Sequence, residues 1–104
     1  MRPRRRQTVM ADFTIGKEIT DRGGRFVIYK EGEVAELTFT RRAPDLVSAD
    51  HTGVPDAFRG TGAGKALVEA LISDAKANNY RIMPLCSFVD AQRRRHPEWA
   101  DLFV

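Results

Sequence analysis

Val54-Pro55-Asp56-Ala57-Phe58-Arg59-Gly60-Thr61-Gly62-Ala63-Gly64-Lys65-Ala66-Leu67-Val68 is the stretch on which the architecture of this chain turns. Gly60, Gly62 and Gly64 alternate, so the backbone can bend tightly and a ligand can approach it without side chains intervening. A helix follows at once: Leu67, Val68, Leu71, Ile72 and Ala75 recur on one helical face, with Lys65, Glu69, Asp74 and Lys76 mostly on the other. Asn78-Asn79 is a suitable stop, because asparagine tolerates the left-handed conformation at a helix end. The first turn of such a helix has amide donors without intrahelical partners and the positive end of its dipole. A glycine turn feeding that helix start is an anion site, suited to phosphate or pyrophosphate.

Working outward, the N-terminal side reads as strands. Phe13 to Ile19 is a short strand, Asp21-Arg22-Gly23-Gly24 a turn, and Phe26-Val27-Ile28-Tyr29 the returning strand. Val34, Ala35, Leu37 and Phe39 form a third strand, and together the three read as an antiparallel meander. Arg41-Arg42-Ala43-Pro44-Asp45 breaks the pattern, and Leu46 to Thr52 is a fourth strand. On the C-terminal side, Arg81 to Cys86 is a short buried strand whose Pro84 suits an edge. Ser87 with Asp90 resembles a capping box opening a second helix through Arg95, which His96-Pro97 ends. Pro97 can start a last turn through Leu102. The order is four strands, helix, strand, helix. The fold class expected is α/β (α+β), a mostly antiparallel twisted sheet with two main helices.

A chain of 104 residues holds one core, hence one domain. Of the net charge of +3, Arg2, Arg4, Arg5 and Arg6 supply four positive units, so the rest of the chain carries −1. Residues 1–10 are accordingly read as a basic, disordered tail and residues 11–104 as the domain. No aromatic residue interleaves with those arginines, so nucleic-acid binding is not expected. The single cysteine, Cys86, excludes an internal disulfide and a cysteine-rich zinc site, and no metal is expected. Lacking an apolar run long enough to span a bilayer, the chain is expected to be soluble and cytoplasmic, with no membrane partner.

Two phosphate-loop readings fail. The nucleotide-triphosphate loop needs a glycine where Arg59 stands and a hydroxyl residue where Ala66 stands. The dinucleotide fingerprint needs Gly or Ala at Lys65 and the first strand of a βαβ unit just before it. Arg59, Gly62 and Gly64 instead match Arg/Gln-x-x-Gly-x-Gly/Ala, which resembles the acetyl-coenzyme A signature of the GNAT N-acetyltransferase superfamily. Asp50-His51-Thr52-Gly53-Val54-Pro55, Pro84-Leu85-Cys86-Ser87-Phe88 and His96-Pro97-Glu98-Trp99-Ala100-Asp101 extend the likeness to the minimal, stand-alone GNAT-like subgroup over about residues 13 to 104. Ala63 stands where a larger aliphatic is usual, and Ser87 where proline is usual.

The resemblance implies acetyl transfer from acetyl-coenzyme A to an amine acceptor, a small molecule or a protein lysine, by direct attack. It places the coenzyme on Val54, Arg59, Gly60, Thr61, Gly62, Ala63, Gly64 and Lys65, with the pyrophosphate on Arg59 to Lys65. It also assigns carbonyl polarisation to a backbone amide near the end of the preceding strand, between His51 and Val54. His51 is a candidate general base, imidazole being the side chain that exchanges protons near neutral pH; the alternative is a histidine that anchors the strand end. Cys86 is a candidate acid for the leaving thiolate or an acetyl acceptor; the alternative is a buried, inert thiol. Arg93-Arg94-Arg95 reads as a coenzyme phosphate contact or a solvated face. His96 reads as structural, and Trp99 and Phe88 as core. Two other functions fit the same sequence: a non-catalytic coenzyme-binding regulatory module, and an adaptor acting through the arginine tail.

Overall fold

The computed structural model describes residues 5–10 and 13–104. Six strands form one sheet in the order β1 (Arg5–Met10), β2 (Phe13–Ile19), β3 (Gly23–Lys30), β4 (Glu33–Ala43), β5 (Leu46–Gly53) and β6 (Arg81–Pro84). The first five run antiparallel to their neighbours, as hairpins and a meander require; β6 lies parallel to β5 because α1 (Ala63–Asn78) carries the chain back across the sheet. The second helix, α2 (Ser87–Arg95), and a 3-10 segment, Pro97–Leu102, complete the chain. This is the mixed, mostly antiparallel architecture with two main helices that the sequence predicts.

The core lies between the sheet and α1. Ile15, Phe26, Ile28, Leu37 and Val47 from the sheet meet Leu67, Val68, Leu71 and Ile72 from the helix, all buried. Phe103 closes the β6 side, making a parallel bridge to Ile82. The opposite face of β2 to β5 is polar. There Arg25 sits between Glu18 (2.9 Å) and Glu36 (2.8 Å), and Asp50 bonds Thr40 (2.5 Å) and Ser48 (2.7 Å).

Four expectations differ from the structure. The basic tail read over residues 1–10 is, over 5–10, a strand that pairs residue by residue with β2; β2 otherwise presents an open edge of amides and carbonyls. Residues 1–4 lie outside the described residues. The fold therefore has five strands before α1, where four are predicted. The break expected from Arg41 falls later, since β4 runs to Ala43 and a register shift absorbs the irregularity. The capping box at Ser87 is absent. Cys86 is the N-cap and the Asp90 carboxylate turns instead to Arg93 (2.7 Å) and Arg94 (2.8 Å). No helix among the described residues is long and apolar enough to cross a membrane.

Candidate functional site

The site is built at the end of the sheet where β5 gives way to α1. Pro55 caps a one-turn 3-10 segment, Asp56–Phe58, and Phe58 is the anchor, its ring 1% exposed beneath the loop. The Thr61 hydroxyl donates to the Phe58 carbonyl (2.5 Å) and accepts from the Ala63 amide (3.2 Å), so it caps the helix start from one residue before the N-cap. Gly60 and Gly62 take positive φ, +75° and +81°, and a Cβ at either would meet nothing within 4 Å. The loop is thus strung on left-handed glycines with open space above it. The first amides of α1 beyond Ala63 (those of Gly64 and Lys65) have no intrahelical acceptor, and they head a 16-residue helix that buries one face.

Gly64 is glycine for a different reason. A Cβ there would lie 2.9 Å from the tip of the Phe88 ring, so α1 and α2 touch at this point. Phe88 is 36% exposed and is not a core residue as expected; it covers one side of the loop instead. Arg59 is exposed and pairs with exposed Asp56 (3.1 Å), and Lys65 is exposed too. Of the Arg93-Arg94-Arg95 run, the first two pair with Asp90. His96 stacks on Trp99 at 4.0 Å and meets Glu98 through Nδ1 (2.9 Å), which with burial of Trp99 fits the structural reading. The bond to His96 holds the Glu98 carboxyl below the usual carboxylate range.

Next to this loop, β5 and β6 part. They pair from Leu46 with Arg81 to Ala49 with Pro84, and then the chain of β6 turns away while β5 continues to Gly53. The Cys86 amide closes the fork by donating to the Ala49 carbonyl (2.8 Å). A register shift at Asp50, between the pairs Phe39 with Ala49 and Thr38 with His51, turns the rest of β5 over. Thr52 then faces the α1 side, where its Oγ1 meets the Cys86 Sγ at 3.3 Å. His51, its neighbour, points to the other face, with Nε2 beside Gly53. The two sequence-predicted catalytic candidates therefore stand on opposite faces of β5. Thr52 and the Asp50 bulge escaped the sequence reading; the adjacency of Asp50, His51 and Thr52 was its only signal, and a bulge has none.

Beyond the fork, β5 keeps backbone groups with no β6 partner. Exposed Val54 and Leu85 flank it, with Cys86 buried at its base. An extended ligand arm entering here would meet open strand edge and apolar side chains.

The pattern of the family described as GCN5-related N-acetyl-transferase matches residues 25–102. Among solved structures, the chain is similar to the solution structure of a GCN5-like protein from Staphylococcus aureus, with 29% identity, 91% of each chain covered and a TM-score of 0.68. Comparison with curated proteins finds no match.

Proposed function

The chain belongs to the GCN5-related N-acetyltransferase family, and on that premise we propose that it transfers an acetyl group from acetyl-coenzyme A to an amine. The observation that carries the proposal is the position of the glycine loop: a helix N-terminus with left-handed Gly60 and Gly62 opens beside the fork of β5 and β6. Pyrophosphate would sit on the amides of Gly60 to Lys65, with Arg59 and Lys65 adding exposed positive charge. The thioester arm would enter the fork past Val54 and run toward Cys86.

The division of His51 and Cys86 between two faces suits a reaction with two partners. The amine approaches from the open polar face, where His51 takes the proton it must lose to become a nucleophile. Its nitrogen attacks the acetyl carbon, and a β5 amide past the bulge stabilises the developing oxyanion. As the carbon–sulfur bond breaks, the attacking nitrogen gives up its remaining extra proton to water, and the thiolate leaves on the α1 side, where the Cys86 thiol donates a proton and is later reprotonated from solvent.

Calorimetric titration with acetyl-coenzyme A, for the wild type and a Gly62→Glu variant, tests the site. The wild type binds and the folded variant does not, because glutamate sets a negative charge over the loop. A folded wild type that fails to bind rejects the proposal. Binding without turnover across a panel of amines leaves a regulatory coenzyme-binding module.

A further inference from the structure

The sheet opens a second time at the same end: β2 and β3 pair only from Gly16 with Val27 to Ile19 with Gly24, and then splay. The gap is a cavity of about 530 Å³ that reaches Thr61 of the glycine loop, so it goes with the coenzyme reading. On the polar face, beside His51, a separate niche is unclaimed. Gly53 pairs across the ladder with Glu36, and His51 lies two residues before it on the same face. A Cβ on Gly53 would stand 3.3 Å from His51 Nε2 and 3.8 Å from Glu36 Cγ. Glycine thus leaves one space that an imidazole nitrogen and the stem of a carboxylate both border.

We propose that Glu36 recognises the acceptor and selects a primary alkylammonium, seated over Gly53 between Glu36 and His51. The inference rests on the transfer reading above and names the acceptor's charge and the residue that reads it. Two carboxylates share the polar face near His51, and they are not equivalent. Asp50 has both oxygens engaged, Oδ2 by Thr40 (2.5 Å) and Oδ1 by Ser48 (2.7 Å). Glu36 gives Oε1 to Arg25 (2.8 Å), and Oε2 has no partner among the described residues. Arg25 also donates to Glu18 (2.9 Å), so it fixes the Glu36 side chain while dividing its charge between two carboxylates. Glu36 is half-buried and His51 exposed, so a ligand can reach the niche from solvent. An alkylamine is protonated near neutral pH, its pKa lying close to the roughly 10.4 of lysine. Its ammonium carries three N–H donors, enough to meet Oε2 and Nε2 together. The proton shared with Nε2 passes to His51, which releases it to water. The neutral amine that remains is held less tightly by Glu36 and has a lone pair free for the acetyl carbon. A hydroxyl acceptor has no charge for Glu36 to read.

The test compares Nα-acetyl-lysine methylamide with its norleucine counterpart, which has the same chain without the ammonium. In amide NMR titrations of the wild type, the Gly53 signal moves with the lysine probe, which binds about tenfold more tightly than the norleucine one. Glu36→Gln keeps an oxygen for Arg25 and removes that preference. It also raises KM for the lysine probe about tenfold while kcat changes by less than about twofold. Gly53→Ala fills the space with a methyl group and weakens the lysine probe although Glu36 keeps its charge. If acetyl-coenzyme A binds by calorimetry but the Gly53 signal stays still, or Glu36→Gln retains the preference, the niche is not the acceptor site and the coenzyme reading survives. If the folded wild type binds no acetyl-coenzyme A, the transfer reading falls and the acceptor assignment falls with it.

Discussion

The glycines of the loop do different jobs, and single substitutions separate them. At Gly62, φ of +81° with nothing near a Cβ means alanine fits the space but strains the backbone, costing about 1–2 kcal/mol. Gly62→Ala should therefore lower the melting temperature by several degrees, read by thermal denaturation. Gly64→Ala has no such strain but pushes against the Phe88 ring, whose half-exposed position lets it turn aside. That variant should melt near the wild type and lose coenzyme affinity because the covering ring moves. Equal melting shifts in both variants would reject this distinction. His51 lies outside the loop, on the open face, so His51→Ala should leave acetyl-coenzyme A affinity unchanged and reduce turnover by about 10²–10⁴-fold. A His51→Ala enzyme with full activity would reduce that histidine to a strand anchor.

At the scale of elements, the far end of α1 is held by one carboxylate. Asp74 Oδ2 accepts from Lys17 of β2 (2.8 Å) and from the Tyr80 hydroxyl (2.8 Å), and Asn78 donates to Oδ1 (3.1 Å). Burial, then the neighbouring Asp74 charge, pushes the Tyr80 phenol well above its usual range. The sign follows: below about pH 10 the phenol is protonated in both states, and above it only the unfolded chain ionises, so stability falls as pH rises past 10. Urea unfolding at about pH 9 and about pH 11 should show the loss, and Tyr80→Phe should reduce it; a loss unchanged in Tyr80→Phe assigns the effect elsewhere. Much at this scale is legible in the sequence. The bounds of α1, the Asn79 stop and β5 are written in local periodicity and local caps, whereas β6, expected to run to Cys86, ends at Pro84, which has no amide to continue the ladder. What was not legible depends on how one segment meets another. An arginine run reads as a tail until the open edge of β2 recruits it as β1. The contact of Thr52 with Cys86 spans 34 residues, and the β2/β3 splay is a property of a pair of strands that neither one encodes alone.

For the whole molecule, these elements sort into two ends. The glycine loop, the β5/β6 fork and the β2/β3 splay lie at one, and the Lys17–Asp74–Tyr80 tie lies at the other. The separation is about 18 Å, set by the rise of α1 between Gly62 and Asp74. An open sheet end is a cost in lost strand pairing, and a tied end gives the helix a fixed seat from which its N-terminus is held over the opening. If α1 acts as a rigid spacer, the two ends contribute independently. Asp74→Ala, which leaves the largely buried Lys17 ammonium without its partner, should cost about 2–3 kcal/mol. It should leave acetyl-coenzyme A affinity within about twofold when measured well below the melting point. In a double-mutant cycle with Gly62→Ala, the stability losses should add to within about 0.5 kcal/mol, as for sites with no shared partners. A coupling of more than about 1 kcal/mol, or a large affinity loss in Asp74→Ala alone, would mean that the helix seat sets the loop geometry. The anion site would then depend on the whole length of α1 rather than on its first turn.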